Sequence, residues 1–142
     1  MSFNLMSIQI KKLFTSFFWF GLVGISAMLV HFYAVTAIFI PLGIHPLIAN
    51  VFGFLVAFIV SYYGHSRLTF QTSAKNSSSL KSMLRFFLVA TTSFLLNQVI
   101  FYLLLTFTQI GIDLSLGITL IVVSGSTYIL SKFWAFKMPA ND

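Results

Sequence analysis

Cysteine is absent from this 142-residue chain and acid nearly so, Asp113 and Asp142 being its only carboxylate side chains. Without thiols there are no disulfides, no thiolate nucleophile and no sulfur-ligated metal. Without paired carboxylates, or a nucleophile beside a base, the groups that hydrolysis and group transfer need are missing. His31, His45 and His65 fall at different depths of the apolar pattern and do not converge on one metal. No enzymatic reaction and no cofactor is therefore expected. A proton-coupled exporter of the small multidrug type also has four short spans, but it depends on a membrane-embedded glutamate, and the chain has no glutamate at all.

What the sequence has in excess is apolar surface. Hydrophobic residues make up 58% and charged residues 7%, with a mean hydropathy of +0.99. That leaves too little polar surface to coat a water-soluble globule. Four stretches, about 17–40, 46–63, 85–107 and 114–133, approach the roughly 20 residues a helix needs to cross about 30 Å of hydrocarbon. Pro41, Gly43 and Pro46 break the first two into a tight hairpin, and Gln109, Gly111 and Asp113 break the second two. The run from Phe17 to Ile40 follows Lys11 and Lys12 as a signal peptide would, but it is too long for one and reads as an uncleaved first span.

All eight basic residues lie on one side of this pattern: Lys11, Lys12, Arg67, Lys75, Lys81, Arg85, Lys132 and Lys137. The positive-inside rule then places both termini and the connector of about 64–85 in the cytoplasm. The net charge of +6 does not imply nucleic acid, because the cations sit at segment ends and form no clustered basic face.

The two halves repeat. Phe20-x-x-Val23-Gly24 recurs 66 residues later as Phe86-x-x-Val89-Ala90, Ser61-Tyr62 recurs as Thr127-Tyr128, and Phe70 as Phe136. A basic residue followed by phenylalanine closes each half, in Arg67-Leu68-Thr69-Phe70 and in Lys132-Phe133-Trp134-Ala135-Phe136. Each repeat contains two spans, so both enter from the same side and the pseudo-twofold axis lies along the membrane normal. The expected fold is all-α: a single transmembrane domain over 1–142 with four helices, as parallel hairpin repeats of about 17–70 and 85–136.

This layout, the Phe-x-x-Val-Gly opening and the basic-aromatic endings resemble the GtrA-like family over about Phe17 to Phe136. The family usually closes each repeat with Asn-Arg, where this chain has His65-Ser66-Arg67 and Ser131-Lys132. The resemblance implies a multi-pass protein of the bacterial cytoplasmic membrane that moves a polyprenyl-phosphate-linked sugar from the inner to the outer leaflet, for O-antigen or other envelope polysaccharide. It implies a membrane glycosyltransferase as a possible partner. An accessory scaffold for such an enzyme and a small-molecule exporter are the alternatives.

Three residue sets are candidates for function. Arg67, Arg85 and Lys132 are expected at the cytoplasmic boundary beside aromatics, where fixed cations suit a phosphate headgroup; anchoring to anionic membrane lipids is the plainer reading. His31 and its equivalents Asn97 and Gln98 lie near mid-span, where they could meet sugar hydroxyls or hold the helices together by bonding each other. Asn50, one turn inside the outer end, could cap the hairpin or meet a sugar in the outer leaflet. Ala49, Gly53, Ala57 and Ser61 form a small-residue ridge for close packing, within the subunit or between subunits. Four thin helices enclose little volume, so a side-open groove beside spans one and three would accommodate a lipid-linked head while its tail stays in the lipid; a homo-oligomer would build such a groove more easily and is expected.

Overall fold

The computed structural model of the chain describes residues 2–65, 67 and 79–135. All its regular structure is helical: α1 (Ser2–Tyr33), a wide π-helical continuation (Ala34–Phe39), α2 (Pro46–Gly64), α3 (Ser79–Phe107) and α4 (Ile112–Ala135). The chain is a polytopic, all-α membrane protein. Phe18–Phe39, Pro46–Gly64 and Phe87–Phe107 are long and apolar enough to cross a bilayer. The fourth helix is 24 residues long, roughly 36 Å at 1.5 Å per residue, and its described apolar part is Ile112–Ser126.

Two boundaries differ from the sequence expectation. α1 begins at Ser2 rather than near Phe17, and α3 begins at Ser79, so 79–85 are helical and not connector. Neither lead-in contains a proline or glycine, and its Lys, Leu, Met and Arg residues propagate a helix once it exists. The polar stretch 71–78 lies outside the described residues.

Proline chemistry builds the first hairpin. Pro41 has no N–H to give and its ring crowds the carbonyl four residues back. The turn before it widens, so that the N–H of Ile40 donates to Val35 O at 2.9 Å and that of Ile44 to Phe39 O at 3.2 Å, both five residues apart. Gly43 then reverses the chain at φ +78°, a left-handed value that glycine adopts without strain. His45 caps α2, its ring accepting from Leu47 N at 3.4 Å, with Pro46 at the first helical position, where a missing N–H costs nothing. The second hairpin is shorter, and Asp113 lies in the first turn of α4, where the helix dipole favours an anion.

The helices form a closed ring in which α1 packs on α2, α2 on α3, α3 on α4 and α4 on α1. A twofold operation that exchanges the hairpins preserves every one of these pairings. Burial obeys the same 66-residue offset: His31 and Asn97, Val35 and Phe101, Ala49 and Ser115, Asn50 and Leu116, Gly53 and Thr119, and Ala57 and Val123 are all buried. The ridge of α2 and its α4 counterpart therefore both face inward. The outer surface is apolar, with Leu29, Ile59, Leu88, Val99 and Ile121 exposed, as lipid-facing positions are.

The ridge packs within the chain. A Cβ placed on Gly53 would stand 2.5 Å from Val35 Cγ2 and 2.7 Å from His31 Cδ2. Gly53→Ala is expected to destabilise the protein by about 1–3 kcal/mol through overpacking. Gly117→Ala, whose Cβ would meet only Phe32 at 3.7 Å, is expected to be neutral or slightly stabilising; thermal unfolding of both variants in detergent checks the contrast.

Candidate functional site

Buried polar side chains converge between three helices. Asn50, on α2, is wholly enclosed. Its Oδ1 lies 2.7 Å from His31 Nε2 on α1, and its Nδ2 donates to Asn97 Oδ1 at 2.8 Å and to Gln98 Oε1 at 2.6 Å on α3. Gln98 Nε2 donates in turn to the backbone carbonyl of Leu47 at 2.9 Å. In hydrocarbon these groups have no water to fall back on, so the cluster ties α1, α2 and α3 together.

This geometry revises the sequence reading at three points. Asn50 does not cap the hairpin, since His45 does. Its burial also places it out of reach of an outer-leaflet ligand. His31 and Asn97 do not bond each other directly; Asn50 bridges them. The cluster lies on the hairpin side of mid-span, because Asn50 and Leu47 belong to the first turns of α2.

Beside the cluster lies a cavity of about 210 Å³, lined by all four helices. Its lining obeys the internal repeat: Gly24 faces Ala90, Ala27 faces Ser93 and His31 faces Asn97, with Phe54 matched by Leu120 and Ala57 by Val123. The cavity therefore straddles the pseudo-twofold axis. It is widely open rather than enclosed, and it runs beside spans one and three as expected, with α2 and α4 supplying walls as well. From the His31 rung to the Gly24 rung it spans seven residues, roughly 10 Å along α1, toward the connector. Phe54 stacks on Phe94 at 4.4 Å in its wall, and Phe58 lines it too. Sequence reasoning missed these aromatics, although Asn50, Phe54, Phe58 and Tyr62 recur every four residues beside the ridge.

At the connector end, Arg67 is exposed and its guanidinium lies 5.9 Å from the Tyr63 ring centroid. Arg85 and Lys132 belong to α3 and α4, but their side chains lie outside the described ones. His65 is buried just past α2 against Phe20, at 4.7 Å between ring centroids, and burial holds its imidazole below the ordinary histidine value.

The transmembrane family described as GtrA/DPMS, transmembrane domain, matches residues 19–136, which covers both hairpins and the repeat that relates them. The chain belongs to this family. No curated protein and no solved structure matches it. Membership gives this GtrA/DPMS domain a membrane-associated function related to sugar-bearing lipids. The cavity, with His31 and Asn97 at one end and Arg67 toward the connector, is the candidate site.

Two outcomes test the site's energetics. Asn50→Leu inserts the residue found at the equivalent position 116 but strands the partners on His31, Asn97 and Gln98. It is expected to cost about 1–3 kcal/mol, read by reversible unfolding in mixed micelles. For His65, the lowered folded value means that the unfolded chain binds the proton more readily. Stability should be full above about pH 6.5 and decline below it. Its ring should titrate below the ordinary value by NMR, and His65→Phe should lessen the acid loss.

Proposed function

We propose that this protein translocates a polyprenyl-phosphate-linked sugar from the inner to the outer leaflet of a bacterial cytoplasmic membrane, without itself catalysing a reaction. The observation that carries this reading is the central cavity, whose polar hairpin end and aromatic walls lie on the pseudo-twofold axis and extend toward the basic connector. A sugar needs donors and acceptors to leave water, and His31 and Asn97 offer both at the hairpin end. In this reading Arg67, Arg85 and Lys132 capture the phosphate in the headgroup layer, with Arg able to hold it bidentately. The prenyl tail remains in the lipid beside the bundle. Consumption of the glycolipid outside pulls transport forward, with a membrane glycosyltransferase as the consuming partner and anionic lipids around the cationic ends. Assembly as a homo-oligomer would add groove area around this cavity.

An accessory scaffold would dock its glycosyltransferase through the ridge of α2 and the basic connector. The ridge is occupied by Val35 and His31 of the same chain, so substitution at Gly53 disturbs the polar cluster and a docking role together.

Reconstitution tests the proposal. Purified protein is placed in liposomes carrying a short-chain polyprenyl-phosphate hexose on one leaflet, and wild type is compared with the Arg67→Gln, Lys132→Gln double variant. Wild type should abolish leaflet asymmetry, and the variant should slow this at least about tenfold, as loss of a charge-assisted contact does. Folded wild type that moves no such lipid refutes the proposal.

A further inference from the structure

The hydrogen bonds around Asn50 have a direction, fixed by a group that cannot be turned round. The carbonyl of Leu47 can only accept, so the Gln98 atom 2.9 Å away is the amide nitrogen. Gln98 therefore turns Oε1 toward Asn50, which answers with Nδ2 at 2.6 Å. That same amide group donates to Asn97 Oδ1 at 2.8 Å, which leaves Asn50 Oδ1 for His31. An amide oxygen cannot donate, so the hydrogen in the 2.7 Å contact belongs to His31 Nε2. One backbone carbonyl thus sets two amides and a tautomer.

Two groups remain at the end of this relay. His31 Nδ1 is left as a lone-pair acceptor and Asn97 Nδ2 as a donor; the His31 ring also meets the Asn50 backbone, and no side chain among the described residues is bonded to either nitrogen. The enclosed side-chain atoms without a partner there are Thr91 Oγ1 and Ser115 Oγ; these two nitrogens are not among them. Both residues line the central cavity, which is the open space next to this end of the relay.

We infer that His31 Nδ1 and Asn97 Nδ2 form a receptor for a hydroxyl group of an uncharged ligand head, while Gln98, Asn50 and the Leu47 carbonyl hold both groups in their receptive states. A hydroxyl both donates and accepts, matching an acceptor and a donor presented on one rung. A phosphate oxygen, which only accepts, would confront the lone pair of Nδ1. A cation would confront the amide hydrogens of Asn97. A prenyl tail would leave both groups unsatisfied in a water-poor site. Sugar and phosphate thus take separate places, the hydroxyl at the hairpin end of the cavity and the anion at the connector end. Gln98 and Asn50 are positioning residues. The inference deepens the sugar-lipid reading and rests on it for the choice of probe, but the relay stands without it.

The test uses full-length protein in liposomes with ¹⁵N-labelled histidine, whose ring shifts distinguish the tautomers. Probes are a short-chain polyprenyl-phosphate hexose, the same lipid phosphate without sugar, and a free methyl hexoside. His31 should be a single Nε2–H tautomer, and Nδ1 should shift with a sugar-bearing probe but not with the bare lipid phosphate. The hexoside arm tells whether a free sugar suffices or the lipid link is required. Gln98→Met should mix the tautomers, although residue 98 meets no ligand. Asn97→Leu should weaken the hexose lipid about tenfold, the loss of one hydrogen bond, and leave the bare lipid phosphate unchanged. An Nδ1–H tautomer in wild type, equal responses to both lipids, or an unaltered Asn97→Leu variant overturns the receptor. Transport without an Nδ1 response removes the receptor and leaves translocation standing; an Nδ1 response without transport does the reverse.

Discussion

A lipid-immersed bundle must satisfy its polar groups internally, because no water stands ready to replace a lost partner. Asn50 is where this chain meets that constraint. Its one acceptor and two donors reach α1 and α3 from α2. The rest of the interior adapts to it. Gly53, one turn along, gives up its side chain so that His31 and Val35 can approach. The π-helical turn after Tyr33 carries α1 into the Pro41 turn that reverses the chain toward α2.

The internal repeat is obeyed in shape and broken in chemistry. Equivalent positions are buried together from His31 and Asn97 to Ala57 and Val123, though not at Val23 and Val89, and the cavity sits where the two halves meet. Yet Asn50 is matched by Leu116, and His31 by Asn97. Leu116 joins the apolar core with Val35, Ala49, Phe101 and Leu120, while Asn50 organises the polar relay. His31 of α1 and Asn97 of α3 line the cavity, and Asn50 orders them from α2 with no polar counterpart at Leu116 of α4.

Much of this was legible in the sequence. The apolar runs, the prolines and the 66-residue offset gave the hairpins and the parallel duplication, because span length, turn chemistry and repetition are local properties. The candidate residues His31, Asn97, Gln98 and Asn50 stood out because polar groups are costly inside a span. Their pairing was not legible. Helical spacing places residues on a face but leaves open which neighbouring helix that face meets, so Asn50 read as a hairpin cap or a sugar contact, and His31 as a sugar contact or a direct partner of Asn97.

Sequence by itself determined that the chain is an all-helical membrane protein of two similar halves, since 58% hydrophobic residues and their periodic interruption leave no other solvent and no other fold class. Only the tertiary structure decided that the ridge of α2 is covered by α1, that a cavity lies on the pseudo-twofold axis, and that Asn50 commands the polar cluster. These depend on the rotation and depth of each helix against its neighbours, which packing fixes and a one-dimensional pattern does not carry.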